Sequence, residues 1–215
     1  MYERFLAFFS SFRDGFPPAA AARLREGICG RSRLVFICTD PAGHEKTDYY
    51  ARVDREWFNN IGICFDACDV LDDRVTPERA QELVRDASCL FLMGGQTMWQ
   101  FRFMREYGLI EPIKASRAAV LGLSAGAINM AVLAFNELAE APYEGLALAD
   151  ISIAPHFDKR RDHPGTMEEI RAFSQEHPLY AMCDGSAIFV RGDAMELLGE
   201  IYKIDQGAIE GVSHD

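Results

Sequence analysis

The sequence predicts an α/β protein with a mostly parallel sheet, helices on both faces of that sheet and short antiparallel strands near the C-terminus. Up to about Asp150, short apolar runs alternate with segments whose apolar residues recur at helical spacing. Such alternation is typical of a parallel sheet covered by helices. After Asp150, apolar runs follow one another across Gly-Asp and Gly-Glu turns, which indicates antiparallel pairing.

The elements of the first part follow from hydrophobic spacing and from the residues that begin and end helices. The predicted strands cover 4–9, 33–38, 61–70, 88–93 and 118–123. The predicted helices cover 17–27, 46–59 and 76–86, and two more begin near 97 and at or just after 124. The apolar pattern of the last helix extends to Leu133. Thr76 and Pro77 form a strong helix start, because an N-cap residue precedes a proline at the first helical position.

The C-terminal part is predicted to consist mainly of strands. They cover 151–154, 180–182, 187–191, 194–198 and 201–204. There is no internal repeat and no linker-like composition between the two parts. The sequence therefore predicts a single domain over residues 1–215.

Composition and charge narrow the classes of partner. The chain has 215 residues, is 49% hydrophobic and carries a formal net charge of -11. With that acidic balance and no basic stripe, neither a nucleic acid nor an acidic membrane surface is an expected partner. No apolar run approaches the ~20 residues of a membrane span. The sequence leaves the oligomeric state open, with a homodimer as one option.

The six cysteines are scattered, and several lie in apolar runs where thiols behave as small buried hydrophobes. Cys64 and Cys68 are four residues apart, but no Cys/His pair at zinc-ligand spacing accompanies them. We therefore expect no metal site, and the serine chemistry described below needs no organic cofactor. Free thiols in a domain of this size predict a cytoplasmic location.

The strongest chemical signal is Gly122-Leu123-Ser124-Ala125-Gly126, which fits the G-x-S-x-G nucleophile elbow. An apolar strand precedes the serine and an apolar helix follows it, as that motif requires. In this setting the Ser124 hydroxyl stands at the carboxyl edge of the sheet, near backbone N–H groups that can stabilise an oxyanion. The alternative is a glycine-rich turn that serves only close packing of the strand and the helix.

A serine nucleophile needs a base, and the base needs an orienting acid. Of the five histidines, His156 alone directly follows an apolar strand, in the way Ser124 does. Asp184 follows another apolar strand and is the candidate acid, with Asp158 as its rival. The alternatives are a structural loop histidine at His156 and an ordinary turn residue at Asp184, since Asp-Gly is a common turn sequence.

A second glycine-rich turn, Met93-Gly94-Gly95-Gln96-Thr97, ends a predicted strand and opens a helix. The carboxyl ends of neighbouring parallel strands converge on one crevice, so this turn is expected beside Ser124. A glycine there can offer its N–H to an oxyanion with no side chain in the way. The spacing fits neither the Walker A motif nor G-x-G-x-x-G, so phosphate binding is not favoured.

Four motifs, in this order, resemble the peptidase E family of aspartyl dipeptidases, which is related to the cyanophycinases. They are Gly94-Gly95-Gln96-Thr97, Gly122-Leu123-Ser124-Ala125-Gly126-Ala127, Pro155-His156-Phe157-Asp158 and Asp184-Gly185-Ser186-Ala187. The resemblance implies a flavodoxin-like sandwich similar to the class I glutamine amidotransferases, with a serine where those enzymes carry cysteine. It also implies a Ser–His–acid triad of Ser124, His156 and Asp184, with Gly95 and Ala125 supplying the oxyanion-hole N–H groups.

The chain departs from the family pattern as we know it at two positions, because Gln96 stands where Asn is frequent and Asp184 where Glu is frequent. The resemblance places Gln96 and Thr97 at the substrate. Aspartyl specificity further implies a cationic contact for the substrate carboxylate. The candidates are Arg160, Arg161 and Arg171, with Lys159 weaker; the alternative is a solvated charge cluster.

The function expected from these residues is a serine exopeptidase that cleaves short peptides, including dipeptides with N-terminal Asp, through an acyl-enzyme. The partner is then a small peptide substrate. Two alternatives stay open: a cyanophycinase-like or other amide hydrolase on the same fold, and a catalytically silent binding homologue.

Overall fold

A computed structural model describes residues 3–135, 142–158 and 164–214, without the side chains of 164–166. Its helices are α1 Pro18–Gly27, α2 His44–Asn60, α3 Pro77–Asp86, α4 Thr97–Glu106, α5 Ile110–Ala115, α6 Ala125–Met130 and α7 Pro164–Ser174. The first strands are β1 Phe5–Phe9, β2 Arg33–Ile37, β3 Ala67–Leu71, β4 Cys89–Leu92, β5 Ala119–Leu123, β6 Leu133–Ala134 and β7 Tyr143–Glu144. The later strands are β8 Ile153–Pro155, β9 Leu179–Met182, β10 Ala187–Arg191, β11 Ala194–Leu198, β12 Glu200–Asp205 and β13 Ala208–His214.

The main sheet has seven strands in the order β11-β10-β1-β5-β4-β2-β3. Five of them, from β1 to β3 in that order, are parallel, while β10 and β11 pair antiparallel at one edge. Strands β1 and β4 are buried along their whole length, as expected for a sheet covered on both faces. The predicted α/β class, with its parallel sheet and antiparallel C-terminal strands, is confirmed.

A second sheet has the order β13-β12-β9-β8, in which β8 and β9 are parallel and the other pairs antiparallel. It has its own small apolar cluster, which contains Phe157, Phe173, Leu179 and Ile204. A separate two-stranded sheet joins β6 to β7. The sequence did not predict that the C-terminal strands divide between two sheets, because pairing partners are not encoded in local spacing.

The predicted strand over 61–70 begins too early, because β3 covers only Ala67–Leu71. Helix α2 continues to Asn60, and the backbone N–H of Ile61 donates to the carbonyl of Phe58, so the chain turns where a strand was expected. Ile63 and Phe65 are nevertheless buried, and the Phe65 ring lies 5.7 Å from that of Phe58. These apolar residues fill the core from an irregular segment, which explains why their content suggested a strand.

The helix after Ser124 is also shorter than its apolar pattern predicted. Helix α6 ends at Met130, because Ala131 is extended (φ -65°, ψ 165°). The backbone N–H of Val132 then donates to Ile151, and the next residues form β6. A tertiary hydrogen bond to the segment before β8 therefore replaces the helical hydrogen bonds that the apolar spacing predicted beyond Met130.

Candidate active site

Ser124 occupies the corner between β5 and α6. Its backbone lies at φ 50° and ψ -108°, a conformation that costs a non-glycine residue about 1–3 kcal/mol. Two hydrogen bonds hold this corner: the Ser124 N–H donates to the carbonyl of Phe9 at 2.8 Å, and its carbonyl accepts from Ile128 at 3.0 Å. The strand β1 and the first turn of α6 thus fix the serine in a strained, half-buried turn.

The glycines on both sides of this corner are required by close packing. A Cβ added at Gly126 would lie 2.1 Å from the carbonyl oxygen of Leu92, and one at Gly122 would lie 2.5 Å from the backbone nitrogen of Ala127. Helix α6 therefore packs directly on the end of β4, and no side chain fits between them. The same close approach brings the end of β4 beside Ser124.

His156 and Asp184 come from the second sheet. Strands β8 and β9 are parallel neighbours with Pro155 paired to Met182, so the residues that follow them emerge side by side. His156 has a left-handed backbone (φ 59°), which turns its ring toward the main sheet. Ser124 Oγ lies 2.7 Å from His156 Nε2, and His156 Nδ1 lies 2.7 Å from Asp184 Oδ1. The three predicted residues form one continuous hydrogen-bonded chain.

Ser10 joins the two sheets behind this chain, and the sequence reasoning missed it. It follows β1 and is fully buried. Its hydroxyl oxygen accepts a hydrogen bond from the backbone N–H of His156 at 2.8 Å. Its single proton can go to the carbonyl of Met182 at 3.1 Å or to Asp184 Oδ1 at 3.2 Å. A lone serine after an apolar strand carries no sequence signal for this role.

The turn after β4 faces the same site. Gly95 has φ 137°, and a Cβ there would meet the hydroxyl of Thr39 at 2.3 Å, so only glycine fits. That hydroxyl donates to the carbonyl of Gly94 at 3.1 Å. Ala125 directly follows Ser124 at the start of α6, and a Cβ added at Gly94 would lie 3.4 Å from the carbonyl oxygen of Leu123, so the turn after β4 lies against the nucleophile corner.

A buried amide network supports this turn from below. Gln100 donates to the carbonyls of Ile37 and Met93, which lie at the ends of β2 and β4. Asn129 of α6 donates to the carbonyl of Thr97 and to the Gln100 side chain, both at 3.0 Å. These bonds satisfy buried polar groups and tie α4, α6 and two strand ends together. The Gly94–Gly95 turn is thereby held against the nucleophile corner.

Comparison with known proteins is consistent with this geometry. The sequence profile of peptidase family S51 matches residues 19–198, which is most of the chain. The chain belongs to peptidase family S51. The predicted resemblance to the peptidase E group and the predicted hydrolase class are confirmed at the level of this family.

Three curated relatives lie at low identity. A probable alpha-aspartyl dipeptidase of Drosophila melanogaster is 29% identical over 155 residues, which cover 62% of this chain and 64% of that protein. The match thus spans somewhat less than two thirds of the Drosophila protein. A peptidase E of Shewanella amazonensis is 28% identical over 71% of this chain and 69% of its own length. An uncharacterized Listeria monocytogenes peptidase, Lmo0363, is 22% identical over 85% of this chain and 92% of its own.

Two solved structures share the fold. The crystal structure of a peptidase from an acI-B1 actinobacterium superposes with a TM-score of 0.76 at 16% identity, covering 99% of this chain and 96% of that one. A putative peptidase E from Listeria monocytogenes superposes with a TM-score of 0.67 at 20% identity, covering 91% and 98%. At these identities the likeness is one of fold, and it agrees with the S51 assignment.

Of the residues predicted to contact the substrate, the described part of the structure places some beside Gly95 and others elsewhere. Gln96 is exposed at the N-cap of α4 and lines a cavity beside Gly95. Thr97 is buried in the first turn of α4. Arg171 is exposed on α7, which packs against β12, and it does not line that cavity. Arg160 and Arg161, like Lys159, lie outside the described residues.

Two cations that the sequence reasoning did not consider do line the cavity. Arg13, just after β1, and Lys46, in the first turn of α2, are both exposed at its surface. No motif signalled them, because the segment after β1 and the start of α2 become neighbours only in the folded chain.

One group of potential metal ligands occurs within the described ranges, formed by His44, Asp72 and Asp73. Asp72 is buried and already accepts hydrogen bonds from the Arg74 guanidinium, and His44 pairs with Asp73. This cluster is an ion-pair network between α2 and the segment after β3. All six cysteines are free thiols.

No helix in the part of the chain that the structure describes has the length and apolar character needed to cross a membrane.

Proposed function

We propose that this chain is a serine exopeptidase that hydrolyses short peptides, dipeptides with N-terminal Asp among them. The observation that carries this proposal is the chain of two 2.7 Å contacts from Ser124 Oγ through His156 to Asp184 Oδ1. Nucleophile, base and orienting acid need this connectivity for acyl transfer. Membership of family S51 and the likeness to an alpha-aspartyl dipeptidase support the substrate class.

In the proposed first step, Ser124 Oγ attacks the scissile carbonyl carbon while His156 Nε2 takes its proton. Asp184 accepts from Nδ1–H, which fixes the tautomer and stabilises the imidazolium. The carbonyl oxygen gains negative charge and receives hydrogen bonds from the N–H groups of Gly95 and Ala125. The C–N bond then breaks, and His156 gives its proton to the leaving nitrogen.

In the second step, water replaces the leaving amine. His156 takes a proton from the water, whose oxygen attacks the acyl carbon, and the proton passes to Ser124 Oγ as the ester bond breaks. The free acid leaves and the triad returns to its starting state. No group beyond those of the chain and a water molecule enters this balance.

The free thiols support the expectation of a reducing, cytoplasmic location, because disulfides form mainly in oxidising compartments. A soluble, small-peptide substrate from protein turnover suits that location. A homodimer stays a proposal from the sequence, and the mass of the protein in solution by light scattering would test it.

A dipeptide library assay of wild type beside Ser124→Ala tests the function. We expect wild-type turnover that includes Asp-X dipeptides, and a loss of kcat of roughly 10⁴- to 10⁶-fold in the variant. Equal turnover by both proteins would reject the nucleophile. Cleavage of β-linked Asp-Arg polymer without Asp-X cleavage would select the cyanophycinase-like alternative. No turnover and no labelling of Ser124 by a fluorophosphonate would select the silent binding homologue.

A further inference from the structure

A cavity of about 640 Å³ opens beside the proposed oxyanion site. It lies where β1, β2 and β4 end, between helix α2 and the segment just after β1. Gly94, Gly95 and Leu123 form the wall nearest to Ser124. Ligand sites in proteins are typically concave and of this size, and in open α/β sheets they lie at the carboxyl ends of the strands.

Asp54 is an unusual residue for the wall of this cavity. It stands on the face of α2 that packs toward the sheet, together with Thr47, Ala51 and Phe58, and it is only 4% exposed. Within the described ranges, neither a hydrogen-bond donor nor a cation contacts its carboxyl group. Burial alone raises the pKa of Asp54 to about 7.

An unpaired buried carboxyl weakens a fold, because its charged form loses hydration without gaining a partner. An aliphatic residue at the same helical position would continue the apolar face of α2 without that cost. Asp54 lines the cavity. A molecule that enters the cavity can therefore supply the partner that the described residues do not provide for this carboxyl group.

The remaining walls favour a positive group on that molecule. Aromatic rings border the cavity from α2 and α4, and Tyr49, Tyr50 and Trp99 are each about half exposed. Aromatic faces attract ammonium and guanidinium groups, more strongly where water is excluded. Asp40 adds a second carboxylate, at the end of β2. Arg13 and Lys46 are exposed at the rim of the cavity, whereas Asp54 is buried. The buried end of the cavity is therefore acidic, and its rim carries the positive charge.

The triad decides which part of a substrate reaches this cavity. In the proposed reaction the leaving nitrogen must face His156, which protonates it. The carbonyl oxygen is assigned to the N–H groups of Gly95 and Ala125. Because Gly94, Gly95 and Leu123, which flank the nucleophile corner, line the cavity, we place the group on the carbonyl side of the scissile bond in the cavity.

We propose that Asp54 and the aromatic walls form a subsite for a cation on the carbonyl-side residue of the substrate, either its free N-terminal ammonium or a basic side chain. Both sources present N–H donors on a positive charge, which a carboxylate and aromatic faces recognise together. This inference rests on the proposed function for the orientation of the substrate.

Binding measurements on Ser124→Ala protein test the subsite without turnover. The probes are Arg-Leu, citrulline-Leu, which is the neutral isostere of Arg-Leu, Ala-Leu, and the N-acetylated form of each, with Kd measured by calorimetry. In the double variant Ser124→Ala/Asp54→Asn we expect Kd to rise about 10- to 100-fold for probes that carry the recognised cation. The two probes without a cation, N-acetyl-citrulline-Leu and N-acetyl-Ala-Leu, keep their Kd.

The probe set separates the two sources of charge. If the ammonium is recognised, acetylation of Ala-Leu removes the effect of Asp54→Asn. If the side chain is recognised, Arg-Leu is affected and citrulline-Leu is not. The matched control is Glu56→Gln, which removes one charge from the exposed face of the same helix and should leave every Kd unchanged. Equal Kd values with and without the Asp54→Asn substitution, or equal weakening of charged and neutral probes, would overturn the subsite.

A second variant keeps the test valid if Asp54→Asn does not fold. Trp99→Leu alters a half-exposed ring at the cavity wall and should weaken the cationic probes about 3- to 10-fold more than the neutral ones. An equal effect on both sets contradicts the subsite. Failure of the proposed function would give a different result. If Ser124→Ala still turns over substrate, Ser124 is not the nucleophile, but the dependence of Kd on probe charge still tests the subsite.

Discussion

The hydroxyl of Ser10 accepts the backbone N–H of His156 at 2.8 Å, across 146 residues of chain. This bond anchors a residue whose backbone is in the left-handed region (φ 59°). Because the same hydroxyl lies within 3.2 Å of Asp184 Oδ1, Ser10 contacts both the base and the acid of the proposed triad. We infer that it is a positioning residue for the pair.

Ser10→Ala should therefore lower kcat about 10- to 100-fold, with KM changed less than threefold, because the substrate does not touch the Ser10 hydroxyl. Removing it also leaves a buried N–H without its acceptor, which costs about 1–3 kcal/mol of stability. Steady-state kinetics with a dipeptide and urea unfolding measure the two effects. Ser11→Ala, at the next and less buried position, serves as the control. Unchanged kcat together with reduced stability would restrict Ser10 to a structural role.

Asp184→Asn should lower kcat by roughly 10⁴-fold, because an amide can hold His156 in the wrong tautomer and cannot stabilise the imidazolium. Asp158→Asn is the matched comparison, since Asp158 is the other acid close to the histidine in sequence. We expect its kcat to stay within a few-fold of wild type. A larger loss in Asp158→Asn than in Asp184→Asn would reverse the assignment of the acid.

Gly126→Ala should destabilise the fold by at least about 3 kcal/mol, because the new methyl group would meet the backbone of Leu92 at 2.1 Å. Gly62→Ala provides the contrast, since Gly62 has φ 76° and open space around it. That change carries only the left-handed backbone penalty of about 1–2 kcal/mol. Urea midpoints of the two variants compare them directly. Similar losses of stability in the two variants would mean that α6 can move away from β4 at little cost.

Asp54 should make the stability of the wild type depend on pH. Its folded pKa of about 7 lies above the ordinary value of 3.8, so the native state binds more protons than the unfolded state between these values. Protonation of Asp54 therefore adds to the free energy of unfolding. This contribution is complete below about pH 4 and is lost as pH rises through about 7. Asp54→Asn does not titrate, so its stability relative to wild type should be greater at pH 8 than at pH 5, by about 2 kcal/mol.

Urea unfolding of both proteins at the two pH values measures this difference. Glu56→Gln, which alters an exposed carboxylate of the same helix, should show no comparable change between pH 5 and pH 8. If the stability of Asp54→Asn relative to wild type is the same at both pH values, Asp54 is ionised throughout this range and its folded pKa is not raised.

The sequence was most informative where chemistry and local structure coincide. Ser124, His156 and Asp184 each follow an apolar strand, and in parallel sheets strand ends meet at one edge, so their proximity could be predicted. Ser10 could not, because its contacts are made across two sheets by one small side chain. Asp54 did leave a signal, since Thr47, Ala51, Asp54 and Phe58 share one helical face, and a carboxylate interrupts an otherwise sheet-facing series.

Strand limits were less predictable for a related reason. Ile63 and Phe65 enter the core from an irregular segment, whereas the polar alternation of β13 conceals a strand that pairs with β12. Burial and hydrogen bonding are separate requirements, and hydrophobic content reports only the first. The cations at the cavity rim, Arg13 and Lys46, likewise depend on which loops become neighbours.

The proposed triad is divided between two sheets, with the nucleophile at the end of β5 and the acid–base pair at the ends of β8 and β9. The junction between the two parts includes the hydrogen bonds of Ser10 to His156 and Ser186, and that of Gly185 to Ser11 at 2.7 Å. Ile153, Met182 and Ile201 of the second sheet also belong to the same apolar core as the main sheet. A core substitution beneath either set of strand ends is therefore expected to change the distance between Ser124 and His156 without altering any residue of the proposed triad.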